Sequence, residues 1–294
     1  MRTTKALLRT AWTTLAGSPR LAALSSLLLL CSSACGRVPN GLNPAIGGSI
    51  GNTSSGFLTR GVAVRNDGDV RWLRDNGRHY GIPRFVSAIE RAALKVARER
   101  PDSVLTTGDL SLPRGGRISP HLSHAAGRDA DLLLYLTTLE GAPVLSPGFV
   151  SFEADGLGWD RKSGRYLRFD VDREWLLIKS LLEDDDARIQ WVFISDVLKA
   201  IVVEWARARG DSPDTILHAQ EVMHQPHPGG VHDDHIHVRT DCSPQEEAFG
   251  CGHTGPSRSW HKPEEPIAPD SDEVLVRAIS EPIEPPAVAL LKTP

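Results

Sequence analysis

Between residues 57 and 240, apolar and polar positions follow helical and strand periods in turn. Apolar side chains recur on one face at helical spacing in three segments: 82–100, 171–184 and 197–209. Short β-branched or leucine-rich runs predict four strands: 103–109, 130–136, 188–195 and 232–240. Ser195 or Asp196 is the expected cap of the third helix, which stops at Gly210. Few strands with helices between and around them predict an α+β fold, a single domain with a small antiparallel sheet flanked by helices.

The first 34 residues have a different pattern. They combine an apolar run that starts at residue 21 with no acidic residue and with four basic ones: Arg2, Lys5, Arg9 and Arg20. A basic start, an apolar core too short to span a bilayer and a small-residue end predict a signal peptide at 1–34.

The residues SSAC, which end at Cys35, resemble a bacterial lipoprotein processing site. In that case Cys35 becomes the lipid-bearing N-terminus and attaches the chain to a membrane. Cleavage by an ordinary signal peptidase is the alternative. Residues 35–56 are rich in Gly, Asn and Ser, which predicts a flexible tether.

Composition sets the remaining domain boundaries. The chain is 40% hydrophobic and 24% charged, values typical of a soluble globular protein, with a formal net charge of −4. Because no basic face is evident, a nucleic-acid partner is not expected. Residues 57–255 are predicted to form the domain, and the proline-rich and acidic residues 256–294 are predicted to form a tail.

The predicted domain contains one pair of cysteines, Cys242 and Cys251. In an oxidising compartment such a pair favours a disulfide, and the short loop between the two closes easily. Two free thiols are the alternative. A zinc site on these cysteines is less favoured, because CxxC spacing does not occur.

Histidines and aspartates at the ends of two predicted strands indicate a metal site. His235 and His237 are two residues apart and therefore share a face of their strand. His124 and Asp131 stand before and within another strand, and neighbouring strands would bring the four together. A His/Asp/His set with water in the fourth position is what a catalytic zinc site needs. HExxH is not found, which excludes a thermolysin-like site.

The other histidines give less signal. HQPHPGG (224–230) is a predicted loop, so its two histidines are expected to be exposed. Four further histidines carry no indication of a role: His79, His218, His253 and His261.

Four motifs together resemble a known family, the penicillin-insensitive murein endopeptidases. They are GDLSLPRGGR (108–117), SHAAGRDADL (123–132), HDDHIHVR (232–239) and CSPQEEAFGC (242–251). The resemblance spans roughly residues 60–255. The family consists of zinc peptidases related to D-alanyl-D-alanine carboxypeptidases, lysostaphin-like peptidases and the hedgehog fold.

The resemblance implies roles for individual residues. His124, Asp131 and His237 would be the zinc ligands, and His235 would assist catalysis as base or as electrostatic stabiliser. His232 matches another active-site histidine.

His121 matches the first histidine of the family's HxSH, which in some relatives binds a second metal. The segment 159–172, where further ligands of that metal would lie, contains no histidine here, and helix capping explains Asp170 and Asp172. A second metal is therefore less favoured but stays open, and the alternative places His121 beside the zinc ligands rather than among them.

Three further residues are assigned without help from the family. Asp129 shares the face of Asp131 and is expected to orient a ligating imidazole. Arg117 and Arg128 are candidates to meet a carboxylate of a peptide substrate.

The resemblance implies a periplasmic enzyme that hydrolyses the D-alanine–diaminopimelate cross-link between peptidoglycan stem peptides. Two alternatives stay open. One is a D-Ala-D-Ala carboxypeptidase or dipeptidase of the same fold. The other is a non-enzymatic module that contains zinc and binds the wall. The presence of both His232 and His235 beside the full ligand set argues against the second alternative.

Overall fold

The computed structural model describes residues 48–227, 230–256 and 258–261, which form a mixed α and β fold. The strands, numbered in chain order, are β1 (Gly48–Asn52), β2 (Ser55–Thr59), β3 (Val62–Ala63), β4 (Val70–Trp72), β5 (Tyr80–Gly81), β6 (Leu105–Thr107), β7 (Asp129–Leu133), β8 (Leu136–Thr137), β9 (Pro143–Val144), β10 (Leu157–Asp160), β11 (Arg165–Phe169), β12 (Ile189–Phe193), β13 (Met223–His224) and β14 (His235–Thr240). The helices are α1 (Pro83–Glu99), α2 (Val171–Leu182), α3 (Asp196–Ala208), α4 (Pro213–Val222) and α5 (Pro244–Ala248). The predicted signal peptide, Cys35 and most of the predicted tail lie outside these residues.

The central sheet has six strands in the order β13-β12-β14-β7-β6-β4. The three inner pairings are antiparallel, whereas the two edge pairings, β13 with β12 and β4 with β6, are parallel. Helices lie in the chain between the strands of each parallel pair, as a parallel crossover requires. The α+β class agrees with the prediction, but the sheet is mixed and larger than the small antiparallel sheet expected.

The pairing of β7 with β14 separates core residues from polar ones. Ile236 is paired with Leu132, and Val238 with Ala130, and all four are fully buried in the apolar cluster that includes the helices. Because strand side chains alternate, the residues between them point to the opposite face. His237 opposite Asp131 and Arg239 opposite Asp129 therefore share one face of the sheet.

The helices form where apolar spacing and capping residues predict them. α1 begins at Pro83, α2 is capped by Asp170, and α3 is capped by the Ser195 hydroxyl, which accepts from the Leu198 amide at 3.2 Å. The three predicted helices are confirmed to within two residues at each end. α4, capped by Ser212, and α5, which carries a capping box, were not predicted.

A second sheet, of order β10-β11-β8-β9, contains a hairpin that the sequence analysis missed. In β11, Leu167 and Phe169 point into the core while Tyr166 and Arg168 point outwards.

Residues 48–56, assigned to the tether, instead form the greater part of the β1–β2 hairpin. The buried guanidinium of Arg128 anchors this hairpin: it donates to the Ser49 hydroxyl and to the Gly252 carbonyl. These residues are therefore part of the folded domain rather than of a flexible tether.

Cys242 and Cys251 are joined by a disulfide that closes the loop around α5. The first residues of the predicted tail contact the domain, because Arg258 stacks on Trp191 and donates to the Gln190 carbonyl. Within the described ranges, none of the helices combines the length and apolar character that a bilayer crossing requires.

Candidate metal centre

Asp131 lies at the centre of a buried histidine cluster. Its Oδ1 atom is 3.3 Å from His124 Nε2, 3.3 Å from His237 Nδ1 and 3.5 Å from His235 Nε2. The β7–β14 register brings His237 opposite Asp131, and the loop before β7 supplies His124. The structure therefore brings together the four residues that were expected to converge: His124, Asp131, His235 and His237.

Two of the buried atoms in this cluster are not hydrogen-bonded. Among the described residues, His124 Nε2 and Asp131 Oδ1 have no hydrogen-bond partner. The other ring nitrogen of His124 donates to the Leu110 carbonyl at 2.7 Å, which leaves Nε2 directed at Asp131. Burial alone lowers the pKa of His124, but the charge of Asp131 outweighs it and raises the pKa. This pair of buried atoms therefore attracts a positive charge, either a proton on Nε2 or a bound cation.

Asp129 fixes the orientation of His237. Its Oδ1 accepts from His237 Nε2 at 2.8 Å and from Arg239 Nε at 2.6 Å, which leaves His237 Nδ1 directed at Asp131. Burial alone raises the pKa of Asp129, but the Arg239 charge and the His237 hydrogen bond outweigh it and hold the pKa well below its usual range. The carboxylate stays ionised and keeps one tautomer of His237.

His121 lies on the other side of the same aspartate. Its Nδ1 is 3.9 Å from Asp131 Oδ2, and its Nε2 donates to Asp109 at 3.0 Å. Donor atoms of His121, His124 and Asp131 lie within 4.8 Å of one another, a spacing that suits a metal ion. His237 Nδ1 approaches the oxygen of Asp131 that also faces His124, so His121 and His237 are alternative third donors beside His124 and Asp131.

The loop that carries the two upstream histidines is held by backbone contacts. The Leu58 amide donates to the Arg114 carbonyl, and the Gly116 amide donates to the Ala125 carbonyl. Gly115 makes this approach possible: its φ is +69°, and a Cβ there would lie 2.3 Å from the Ala125 oxygen. His124 itself has a φ of +70°, an unusual value for a residue with a side chain.

His235 and His232 lie at the open side of the cluster. His235 Nδ1 donates to Asp234 at 2.5 Å, which directs Nε2 towards Asp131. The His232 ring centroid is 5.0 Å from that of His235 and 5.8 Å from that of His237. His232 Nδ1 donates to the Gly230 carbonyl, and burial followed by the nearby His235 lowers its pKa.

Several neighbours of the site were not predicted. Asp109 is held by Arg78 and Asn76, and Phe149 packs its ring against His235 at 5.3 Å. Asp109 and Arg239 lie within motifs that carried the family resemblance, and this position in the sequence could have indicated that they lie near the site. Phe149 lies in a loop without apolar periodicity, so no sequence pattern indicated that it is close to the site.

Two arginines and two aspartates remain among the residues for which the sequence suggested a role. Arg128 is fully buried and bound to the β1 hairpin, so it does not face a substrate, whereas Arg117 is exposed. Asp170 caps α2 as predicted, whereas Asp172 is not the cap and instead pairs with Arg100 and Arg209.

Comparison with known proteins agrees with these motifs. The family model described as penicillin-insensitive murein endopeptidase matches residues 49–259. A curated relative, the penicillin-insensitive murein endopeptidase of Haemophilus influenzae, is 27% identical over 238 residues, which cover 74% of each chain. The matched region contains every residue of the histidine cluster. The chain therefore belongs to the penicillin-insensitive murein endopeptidase family, a family of peptidases.

Proposed function

We propose that this protein uses a zinc ion held by His124, Asp131 and His237 to hydrolyse the D-alanine–diaminopimelate cross-link of murein. The observation that carries the proposal is the pair of buried atoms without hydrogen-bond partners, His124 Nε2 and Asp131 Oδ1, with His237 Nδ1 directed at the same oxygen. Family membership supports the choice of substrate.

The two distances from the histidine nitrogens to Asp131 are those expected between ligands of one zinc ion. Ligand atoms about 2.0–2.1 Å from a tetrahedral zinc lie about 3.3–3.4 Å from one another. His124 Nε2 and His237 Nδ1 are both 3.3 Å from Asp131 Oδ1. His121 fits less well, because its Nδ1 faces the other oxygen at 3.9 Å and its side chain is a quarter exposed. We therefore assign His121 to the rim of the site.

The ligand residues are held before a metal arrives. The Leu110 carbonyl fixes the ring of His124, and Asp129 with Arg239 fixes the ring of His237. A bound zinc supplies a Lewis acid for the scissile carbonyl and acidifies the attacking water. Because the imidazoles are oriented in advance, they need not reorganise when the metal and substrate bind.

His235 is placed to act on the reacting groups. Its Nε2 lies at the open edge of the cluster, and Asp234 holds the ring from the opposite nitrogen. In this position it serves either as the base that takes a proton from water or as the cation that stabilises the developing oxyanion. His232, 5.0 Å away between ring centroids, completes the group on this side.

Product analysis with purified muropeptides tests the proposed reaction. Incubation with cross-linked dimers should yield disaccharide-peptide monomers. Loss of a single terminal D-alanine would instead indicate a carboxypeptidase. Binding without any cleavage, by a protein loaded with zinc, would indicate a wall-binding module.

We also propose that the chain is exported and works in the periplasm, attached to a membrane through a lipid on Cys35. The support is the sequence pattern before and at Cys35. Stable anchoring to a membrane usually needs two acyl chains, or one acyl chain together with a second membrane-binding signal. Labelling cells with a radioactive fatty acid tests the anchor, because the label should be incorporated by the natural chain and lost in Cys35→Ser. Equal labelling of both would refute it.

A further inference from the structure

A wide cleft opens next to the histidine cluster, on the side of His235. Its volume is about 630 Å³, within the range of sites that bind small molecules. One wall is the loop 147–151, which includes Phe149, and the other is the β10–β11 hairpin. Phe149 lines the cleft and also contacts His235 edge to face, so the cleft lies beside the candidate metal centre.

Three aromatic rings of this cleft are exposed to solvent. Trp159 is 48% exposed, Tyr166 is 53% exposed and Phe149 is 41% exposed. Trp159 and Tyr166 are cross-strand neighbours with ring centroids 4.9 Å apart. Single exposed aromatic residues are common, but a group of them lining one concave surface marks a binding site.

The alternation of side chains along the hairpin strands determines that these two rings point outwards. Leu167 and Phe169 alternate with Tyr166 and fill the core, so Tyr166 and its partner Trp159 must point away from it. The turn that follows Trp159 adds two exposed cations to the rim, Arg161 and Lys162. Glu153 and Asp160 also line the cleft, which thus combines flat apolar faces with a polar edge of mixed charge.

These features suit a sugar better than an apolar side chain. The rings lie open rather than forming an enclosed pocket that would hold an aliphatic group. A pyranose ring presents a flat face of C–H groups to an aromatic ring, while its hydroxyl and acetamido groups reach the polar edge. Murein joins such sugars covalently to the stem peptides whose cross-link lies at the metal centre in the proposed function.

We propose that the Phe149–Trp159–Tyr166 cleft binds the glycan disaccharide of murein, next to the site where the attached peptide is cut. This inference rests on the proposed function for its substrate class. The protein would then recognise the sugar as well as the peptide of its substrate, and Trp159 and Tyr166 would determine the specificity for the sugar.

Equilibrium binding to the full-length protein separates the two parts of the substrate. The probes are a disaccharide-tetrapeptide and the same tetrapeptide without sugars, neither of which contains a cross-link. The natural protein should bind the disaccharide form about tenfold more tightly. Trp159→Ala and Tyr166→Ala should each remove most of this difference and leave the affinity for the bare peptide unchanged, and Trp159→Phe should keep much of it.

Trp205→Ala is the matched control, because Trp205 is an exposed tryptophan of α3 that does not line the cleft. It should preserve the preference. Equal affinity of the natural protein for both probes would overturn the inference without any variant. A loss of affinity in Trp159→Ala that is the same for both probes would also overturn it, since the ring would then contact the peptide. Neither result depends on whether cross-linked dimers are cut, which is the separate test of the proposed function.

Discussion

His237 donates its Nε2–H to Asp129 at 2.8 Å, and this single hydrogen bond decides which nitrogen faces Asp131. Arg239, two residues further along β14, donates to the same oxygen of Asp129. The pairing of β7 with β14 places all of these groups on one face of the sheet. The candidate metal centre therefore lies on two adjacent strands whose opposite faces form the core, and the loop before β7 adds His124.

Asp129→Asn should weaken zinc binding about 10- to 100-fold without abolishing it, because the partner that orients His237 is changed while the ligands remain. Competition with a fluorescent chelator measures the zinc affinity. Asp214→Asn, which alters an exposed carboxylate in the first turn of α4, is the control and should bind zinc normally. Circular dichroism must show both variants folded. Unchanged affinity in folded Asp129→Asn would remove Asp129 from its orienting role.

Replacing a ligand should have a larger effect. His124→Ala, Asp131→Ala and His237→Ala should each lose most of the bound zinc and nearly all hydrolysis, because three protein ligands are the minimum for a catalytic zinc site. Metal analysis of the purified variants gives the stoichiometry. His121→Ala should keep its zinc. A variant among the first three that retains full zinc would show that its residue is wrongly assigned.

His235→Ala should separate metal binding from chemistry. It should retain zinc while kcat falls about 10²- to 10⁴-fold, because general acid–base or oxyanion assistance is lost. Metal content and the rate of dimer cleavage are measured on the same preparation. Simultaneous loss of zinc and activity would make His235 a ligand.

The sequence predicted the proximity of the histidines and Asp131 more fully than the sheet that carries them. The spacing of His235 and His237 fixes their common face, because strand periodicity is local and depends on few residues. The parallel edges formed by β4 and β13 depend on crossovers through helices, which no short pattern encodes. Arg128 shows the limit for single residues: it was a candidate to bind a substrate carboxylate, but it is buried in contacts with Ser49 and Gly252 from distant parts of the chain.

The stability of the domain should depend on pH through Glu174, a buried carboxyl group away from the candidate metal centre. Burial raises the pKa of Glu174, in α2, to about 8. Its Oε2 accepts from the Tyr135 amide, and Oε1 has no partner among the described residues. Since the folded protein holds this proton more tightly than the unfolded chain, stability falls as pH rises from about 4.5 to about 8.

Glu174→Gln removes that titration while keeping an acceptor for Tyr135. At pH 8.5 its Tm should exceed that of the natural protein by at least about 3 °C, and the difference should shrink as the pH falls to 4.5. Thermal unfolding followed by circular dichroism across this range checks the expectation. A difference that does not change with pH would mean that Glu174 is already ionised in the folded state at neutral pH.

The most direct test of the account is cleavage of purified cross-linked muropeptide dimers before and after metal removal. Treatment with phenanthroline should reduce hydrolysis to background, and added zinc should restore it, because the Lewis acid and the acidified water both depend on the metal. Penicillin should have no effect, since the proposed mechanism contains no acylated serine. Hydrolysis that survives complete removal of metal, or that penicillin abolishes, would contradict the claim that the histidine and aspartate cluster carries out the reaction.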